Sequence, residues 1–219
     1  MTDYDEQEII FEQERFLRNS DIMTTTERGV TTDTDEGTFD ADSTHLIAVT
    51  NIKNIRSIVV GVTTLTFGAD YTYDMDFLDT TIKTKITFTE AQTGDYVITY
   101  DYGTDKIFGE YPKTTLKISS FPRISVGMLD SPAEPGGYGN VTLNEPNFTC
   151  IVYGDNKKEI RSYITAIRKA YKSAWTSFYY TAPVVRPVSN GPLIPSPEKR
   201  DKIWQQNADF RGYFNYEQE

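Results

Sequence analysis

Hydrophobic residues recur at helical spacing in two segments of the chain. Residues 5–20 place them on a shared face with Glu and Arg between them, a period that predicts an amphipathic N-terminal helix. Residues 155–175 show the clearer pattern, with Asp155 or Asn156 as the capping residue and Lys and Arg on the other faces. The two apolar faces comprise Ile9, Ile10, Phe16 and Leu17, and Ile160, Tyr163, Ile164, Ile167, Tyr171 and Trp175.

Between these helices the period of the apolar residues changes to two, which is typical of strands. Short apolar or alternating runs, separated by turn residues such as Gly61, Gly68 and those at 92–94, occupy residues 44–102. Their regular spacing predicts a small, sandwich-like all-β module. Residues 31–43 are rich in Thr, Asp and Gly and nearly free of apolar side chains, so we predict an exposed linker there. The predicted strands span 46–49, 57–60, 63–67, 83–89 and 95–101.

The second half of the chain combines strands with the predicted 155–175 helix. Alternating apolar residues predict strands on both sides of that helix, and clusters of Gly and Pro predict exposed loops over 130–140 and 183–197. These loops are long for plain connections, and we predict that they act as docking arms. The predicted strands of this half span 116–120, 123–128, 147–153, 177–181 and 207–216.

The order of these elements predicts an α+β fold. We expect a mostly antiparallel sheet with one main packed helix and the N-terminal helix, interrupted by the inserted all-β module. The predicted domain boundaries assign 1–30 to the core domain as its N-terminal helix, 31–43 to the linker, 44–104 to the inserted β-domain and 105–219 to the α+β core.

Composition and charge narrow the classes of function. Hydrophobic residues make up 38% and charged residues 25% of the chain, which is typical of a globular protein. The net charge of −10 argues against the chain as a whole being a nucleic-acid-binding protein, because such proteins usually carry a basic patch on a basic domain. No segment reaches the ~20 apolar residues that span a bilayer, and the N-terminus is acidic where a signal peptide begins basic. We therefore expect a protein made and used inside a cell, or in a particle assembled there, with no membrane partner.

The chain offers few residues for catalysis or metal binding. Cys150 is the only cysteine and His45 the only histidine, so an intramolecular disulfide and Cys-based zinc clusters are excluded. No nucleophile motif accompanies His45, and we predict that Cys150 is buried in a strand. Four aspartates lie close together but lack the EF-hand spacing, so we predict neither a metal nor a cofactor. These are Asp70, Asp74, Asp76 and Asp79.

Three phrases of the second half resemble the tail-terminator family of tailed viruses. FPRISVGMLDSPAEPGGYGN (121–140) is similar to the family's aromatic-Pro strand and Gly-rich loop, FTCIVYGDNKKEIRSYITAIRKAY (148–171) to its strand, GD turn and helix, and RDKIWQQNADFRGYFNYE (200–217) to its terminal strand. The resemblance covers about residues 106–217 plus the N-terminal helix. The insertion departs from minimal members of the family. Its phrases LTFGADYTY and ITFTEAQTGDYVITYDYG resemble a small β-module of tail and surface proteins of tailed viruses.

The resemblance implies a structural, non-enzymatic virion protein at the neck, assembled in the host cytoplasm. Members of the family form homohexameric rings that cap the finished tail tube and offer a platform to the head-completion protein. The partners implied are further copies of this chain in a hexameric ring, the tail tube protein, a head-completion, stopper or connector protein, and passing genomic DNA bound without sequence specificity.

Three other functions stay open. Another neck or tail component, such as a stopper, connector or tube-associated protein, shares small α+β folds and ring symmetry. A carbohydrate-binding or adhesin module would present tyrosines of the β-region as stacking platforms. A hydrolase would use paired carboxylates, for which Glu90 and Asp95 on either side of a predicted hairpin turn are the candidates.

Candidate contact residues lie mainly in the second half. The basic face of the 155–175 helix is predicted either as a solvated face or subunit interface, or as the lining of a DNA conduit. Residues 31–43 are predicted as a mobile loop or as a segment that orders on a partner ring, and residues 213–219 as a strand added to a neighbour's sheet. Candidate ring-interface or docking residues are Tyr138, Tyr163, Arg168, Tyr171, Lys172, Arg211, Tyr213 and Phe214, and candidate lumen-facing residues are Lys157, Arg161 and Lys169.

Overall fold

The computed structural model describes residues 6–74, 83–109, 121–129, 141–144, 147–173, 184–195 and 203–217. The helices are α1 (Glu6–Asn19), α2 (Thr25–Arg28) and α3 (Lys157–Ser173). The strands are β1 (Val30–Thr50), β2 (Ile52–Val60), β3 (Thr63–Leu65), β4 (Tyr71–Asp74), β5 (Lys83–Gly103), β6 (Ile107–Gly109), β7 (Arg123–Leu129), β8 (Val141–Asn144), β9 (Asn147–Gly154), β10 (Val184–Asn190), β11 (Ile194–Pro195) and β12 (Trp204–Glu217). The chain forms two compact units, which we call unit 1 (Met1–Met23 with Lys106–Glu219) and unit 2 (Thr24–Asp105).

Unit 1 is built on one sheet with helices α1 and α3. Its strands follow the order β10-β12-β9-β7-β6, with β8 and β11 also paired to β12. The β6–β7 pair is parallel, and the other pairs are antiparallel. β12 is an interior strand next to the edge, since it pairs with β9 on one side and with the outermost strand β10 on the other. The predicted α+β fold with mostly antiparallel sheets is confirmed.

The core of unit 1 lies where the helices pack on this sheet. Side chains alternate between the two faces of a strand, so alternate residues at 148–152 of β9 and 208–210 of β12 join the same buried cluster. Cys150 is fully buried there, as predicted. Fully burying one aliphatic or aromatic side chain stabilises the fold by roughly 1.5–3 kcal/mol, so this cluster is the main source of stability of unit 1. The contributing residues of β9 and β12 are Phe148, Cys150, Val152, Ala208 and Phe210.

Helix α1 is buried on more faces than its apolar pattern predicts. Ile10 and Leu17 lie in the core as predicted, but Glu14 and Arg18 are buried as well. Their side chains form an ion pair at 3.0 Å, and Nη2 of Arg18 donates to the backbone oxygen of Ile107 at 2.7 Å. Buried charges are tolerated when they are paired and hydrogen-bonded, which explains why charged residues sit inside this packing.

The contact between α1 and β6 requires a glycine at position 109. A Cβ added to Gly109 would collide with the carboxylate of Glu14 and with a methyl group of Ile10. Both atoms belong to α1, so the absent side chain lets the helix approach the strand closely. A larger residue would push the helix away from the sheet.

Unit 2 is a five-stranded antiparallel sheet in the order β1-β5-β2-β3, with β4 also paired to β5. β5 is the central strand, since β1 follows its length while β2 and β4 pair with its two halves. The ring centroids of Phe39 and Phe88 lie 5.1 Å apart, although Phe39 is paired with Gly94. The two halves of the sheet therefore fold toward each other over a shared core. Buried side chains of β5 are Thr84, Ile86, Phe88, Tyr96, Ile98, Tyr100 and Asp101.

A fully buried arginine links the beginning of unit 2 to its end. Arg28 donates to Asp101 at 2.8 Å and to Asp105 at 2.5 Å, and Asp101 also accepts from Arg56 at 2.7 Å and from Thr32 at 2.6 Å. Burial acts to lower the pKa of Arg28, but the hydrogen bond and charge of Asp105, with the charge of Asp101, outweigh burial and raise this pKa. The arginine is therefore charged and fully compensated inside the protein.

The chain enters and leaves unit 2 at adjacent positions. Val30 pairs with Gly103 as the first register position between β1 and β5. Gly29 and Gly103 have φ angles of 76° and 124°, which favour glycine. A Cβ on Gly29 would lie 3.0 Å from the backbone oxygen of Thr104, and a Cβ on Gly103 would lie 3.0 Å from that of Gly29. Both glycines are thus needed for this close approach.

The predicted linker at 31–43 is wrong, because these residues belong to β1. Most of the segment's side chains lie at the surface and only Phe39 is fully buried, so no apolar pattern marks it, and backbone pairing with β5 holds it instead. The predicted turn at 92–94 is also wrong, since β5 continues through it. The observed boundaries therefore fall at Met23/Thr24 and Asp105/Lys106, which moves the start of the inserted module from 44 to 24.

The predicted loop at 183–197 is replaced in part by strands. β10 and β11 both pair with β12, and the register of β10 shifts between Pro187 and Ser189. β10 is the outermost strand on its side of the sheet, a position that tolerates the missing N–H of Pro187. The predicted strands at 116–120 and 177–181 and the predicted loop at 130–140 lie outside the described residues.

Candidate interaction surfaces

Helix α3 presents the basic face that the sequence predicts. The Oδ1 of Asn156 accepts from the backbone N–H of Lys158 at 3.0 Å and of Glu159 at 3.4 Å, so Asn156 rather than Asp155 caps the helix. Glu159 in the first turn complements the positive end of the helix dipole. One side of the helix is buried in unit 1, which turns its charged residues outward. The buried side contains Ile160, Tyr163, Ile164, Ile167 and Tyr171.

The three predicted lumen-facing residues all lie at the surface of α3, together with two further lysines. Arg168, one of the predicted docking residues, is half-buried. Nζ of Lys157 lies 3.5 Å from the ring centroid of Trp204, a cation–π contact that ties the first turn of α3 to β12. We use the name basic face for the exposed cations of this helix. They are Lys157, Lys158, Arg161, Lys169 and Lys172.

Two predicted docking residues belong to the core instead. Tyr163 and Tyr171 are 8% and 0% exposed, so their prediction as surface residues is wrong. The ring of Tyr171 lies 4.4 Å from that of Phe210 and 4.6 Å from that of Phe16, between centroids. Burial raises the pKa of the Tyr171 hydroxyl and of the neighbouring Cys150 thiol. Large aromatic area and a local hydroxyl–thiol contact favour this buried position over a surface position.

Arg211, Tyr213 and Phe214 lie on β12, as the terminal strand prediction requires. Their backbones pair within the chain's own sheet, with β10 at Tyr213 and with β8 at Phe214. Each of residues 213–217 has one strand partner among the described residues, and the prediction that this segment adds to a neighbour's sheet stays a prediction. Tyr138 lies outside the described residues.

A second charged surface lies in unit 2 and has the opposite sign. We use the name acidic arm for residues 30–44 of β1 and residues 88–99 of β5, which contain no Lys or Arg. β1 is the outermost strand of its sheet, and charged side chains are typical of protected sheet edges. Asp35 and Asp42 are half-buried and the other acidic residues are exposed. The acidic residues of the arm are Asp33, Asp35, Glu36, Asp40, Asp42, Glu90 and Asp95.

An aromatic cluster gives the acidic arm a fixed shape. The rings of Phe39 and Tyr96 stack with centroids 4.0 Å apart, and His45 packs edge-on to both. Nε2 of His45 lies 2.6 Å from Oδ2 of Asp35. A Cβ at Gly37 would come within 2.9 Å of the Tyr96 hydroxyl, so the ring covers the glycine. Burial, with the charges of Asp35 and Asp42, raises the pKa of Tyr96.

The residues considered for hydrolysis or metal binding do not form a site in the described chain. Glu90 and Asp95 are exposed on one continuous strand, so the predicted hairpin between them does not form. Asp70 accepts from the backbone N–H of Thr66 at 2.6 Å, a local turn contact. Within the described residues, no group of three or more His, Cys, Asp or Glu is placed to hold a metal ion. Asp74 ends β4, and Asp76 and Asp79 lie outside the described residues.

Sequence reasoning missed a polar cluster around Asp209. Its carboxylate accepts from Thr149 at 2.9 Å, Ser189 at 2.7 Å and Asn207 at 2.7 Å, and so joins β9, β10 and β12. Asp209 alternates along β12 with the buried Ala208 and Phe210, so the cluster lies on the other face of the sheet. That alternation was the available signal. It indicated a strand with two different faces, but it did not indicate which residues of the neighbouring strands would bond to Asp209.

No family model matches the chain, and comparison with curated proteins finds no match. None of the helices within the described ranges is long and apolar enough to cross a membrane.

Proposed function

We propose that the protein is a structural subunit of the head–tail junction of a tailed virus, where it forms a ring that caps the tail tube and joins it to neck or head-completion proteins. The architecture of unit 1 carries the proposal. Its sheet packs against one helix from the N-terminal segment and one from the C-terminal segment, with unit 2 inserted between them in the sequence. The three phrases that resemble tail-terminator proteins all lie in unit 1.

The chemistry of the described residues supports a structural role over a catalytic one. The Cys150 thiol is fully buried and its pKa is raised by burial, whereas a nucleophilic cysteine needs a lowered pKa and access. His45 is held by Asp35 within the aromatic cluster of the acidic arm. Charged residues are instead spread over two exposed surfaces, a distribution suited to contacts with other macromolecules.

The carbohydrate-binding alternative receives less support from the placement of tyrosines. A stacking platform for a sugar needs exposed aromatic rings. Four of the five tyrosines of unit 2 are buried and Tyr102 is half-buried, and all five lie in described segments. The buried tyrosines are Tyr71, Tyr73, Tyr96 and Tyr100. Another neck component, such as a stopper or connector, remains the alternative that shares the architecture of unit 1.

The proposal is tested by the mass and the binding partners of the purified protein. We expect rings of one size near the hexamer of tail-terminator proteins, measured by mass photometry and seen by negative-stain microscopy. We also expect these rings to bind the ends of isolated tail tubes, with tubes already saturated by the protein as the control. A strictly monomeric protein that ignores tail tubes would contradict the proposal. Binding to connector complexes but not to tubes would assign the alternative neck role.

A further inference from the structure

The acidic arm and the basic face are complementary surfaces of the same chain. The arm carries seven carboxylates and no Lys or Arg over its two strand segments. The basic face carries five exposed cations along one helix, and Glu159 is the one acidic residue of α3. A chain with a net charge of −10 therefore concentrates positive charge on α3. Complementary potentials of this kind guide association and select partners.

The shape of both surfaces is fixed before any partner binds. The Phe39–Tyr96 stack joins the two strands of the arm, and the Asp35–His45 contact joins two parts of β1. Burial of one side of α3 and the Lys157–Trp204 contact orient the helix on its sheet. Preorganised surfaces lose less conformational entropy on binding, which favours a defined contact over loose attraction.

We propose that the acidic arm of one copy binds the basic face of α3 on a second copy of this chain. This proposal rests on the proposed ring function and names the contact that builds the ring. An arm facing an arm, or a basic face facing a basic face, would bring like charges together. A contact between two different surfaces of neighbouring copies is heterologous, and such contacts close into rings when the rotation between copies permits.

Duplex DNA is the competing occupant of the basic face. Phosphates also bind exposed Lys and Arg, and neutralising them releases counterions. The observations favour the second copy, because the acidic arm would itself repel DNA and because the chain as a whole is acidic. The arm also supplies a rigid partner of the right sign on each copy, so the contact needs no other molecule.

Charge-reversal variants test the contact directly. The helix variant carries Lys158→Glu, Arg161→Glu and Lys172→Glu, and the arm variant carries Asp33→Lys, Glu36→Lys, Asp40→Lys and Glu90→Lys, so that the net charge of each surface changes sign. All seven wild-type side chains are exposed, so both variants are expected to keep the wild-type far-ultraviolet circular dichroism and melting temperature. A charge-conserving control, Lys158→Arg with Arg161→Lys and Lys172→Arg, keeps the basic face positive.

Each reversed variant alone is expected to lose rings, with the ring fraction in mass photometry falling at least ~tenfold, because both contact surfaces then carry the same sign. An equimolar mixture of the two variants is expected to recover rings with an even number of subunits, since each acidic helix then meets a basic arm. The wild-type ring fraction should also fall as salt rises above about 0.1 M, where the Debye length is about 10 Å. The charge-conserving control should assemble as the wild type does.

The outcomes separate this contact from the ring function itself. Wild-type rings that persist in both reversed variants would overturn the arm-to-helix contact and leave the ring function standing. A reciprocal dimer that both reversals dissolve, and that the mixture restores, would support the contact and contradict the ring. Rings that survive the helix reversal while binding of a short DNA duplex is lost would assign the basic face to DNA and overturn the contact. A wild-type protein that stays monomeric would remove the ring function, and with it this proposal.

Discussion

Unit 1 and unit 2 are both built on a sheet, but they bury side chains of different chemical types. Unit 1 encloses a continuous cluster of aliphatic and aromatic residues between its sheet and two helices. In the described residues of unit 2 the helical part is the short α2, and the unit buries Arg28 with Asp101 and Asp105 beside an aromatic core inside the bent sheet. Hydrophobic burial tolerates small shifts of its members, whereas a buried ion cluster depends on every partner. The two units should therefore respond differently to single substitutions.

The largest difference is expected for Arg28→Leu. This change leaves Asp101 and Asp105 buried without their central cation, and removing one partner of a buried pair costs about 3–5 kcal/mol. Hydrogen exchange should show faster exchange of the β1 and β5 amides and unchanged exchange in β9 and β12. Arg161→Leu on the exposed face of α3 serves as the matched control and should leave both units unchanged. Equal loss of protection in both units would contradict this separation.

Phe210→Ala is expected to produce the reverse pattern. Phe210 is fully buried and packs against Phe148, with ring centroids 5.2 Å apart, and against Tyr171. Truncating a buried phenylalanine to alanine costs about 3–5 kcal/mol through lost burial and the cavity left behind. Exchange should accelerate in β9, β12 and α3, while β1 and β5 keep their protection. Faster exchange confined to unit 2 would be inconsistent with the core assignment.

A smaller loss is expected for Gly109→Ala in unit 1. The new methyl group meets the Glu14 carboxylate and the Ile10 side chain of α1. Overpacking of this kind costs about 1–3 kcal/mol, and the urea midpoint of unit 1 should fall accordingly. Ser162→Ala on the exposed side of α3 is the control, with an expected change within about 0.5 kcal/mol. A Gly109→Ala protein as stable as this control would show that α1 can shift without cost.

The smallest effect is expected from mild acid on unit 2. Burial raises the pKa of Asp101, but hydrogen bonds from Arg56 and Thr32 and the charges of Arg28 and Arg56 outweigh burial and lower it. A lowered folded-state pKa gives stability that is present above the unfolded value of about 4 and is lost as pH falls through the folded value. Exchange of the β1 and β5 amides, corrected for intrinsic rates, should therefore report a falling free energy of opening below about pH 4. Asp101→Asn should flatten this dependence, and an unchanged slope in that variant would exclude Asp101 as its origin.

The sequence pattern predicted unit 1 better than unit 2 for a physical reason. Helix α3 and strand β9 bury alternating or helically spaced apolar residues, and apolar spacing is the signal that a single sequence carries most strongly. Their predicted spans, 155–175 and 147–153, match Lys157–Ser173 and Asn147–Gly154 closely. The burial of the Glu14–Arg18 pair of α1 was missed, because a charged residue in a sequence does not indicate which residue will pair with it.

Strand β1 shows why residues 31–43, which belong to the acidic arm, were predicted as a linker. Its first half owes its position to backbone pairing with β5, and Thr38 donates to Asp95 at 2.7 Å across the pair. Such contacts join residues far apart in sequence, so neither Thr-Asp composition nor local turn propensity reveals them. On α3 the exposed lysines were predicted from the same helical spacing, which also placed Tyr171 on the apolar face, and only its additional prediction as a docking residue was wrong.

The two glycines where the chain enters and leaves unit 2 affect how this protein can change during evolution. Gly29 and Gly103 hold the incoming and outgoing strands side by side, and Arg28 bonds to Asp105 just beyond them. A module whose two ends meet can be gained, lost or exchanged in a gene as one segment, since the host fold needs only two neighbouring attachment points. Descendants of one ancestral protein can thus differ by a whole accessory module while unit 1 stays the same.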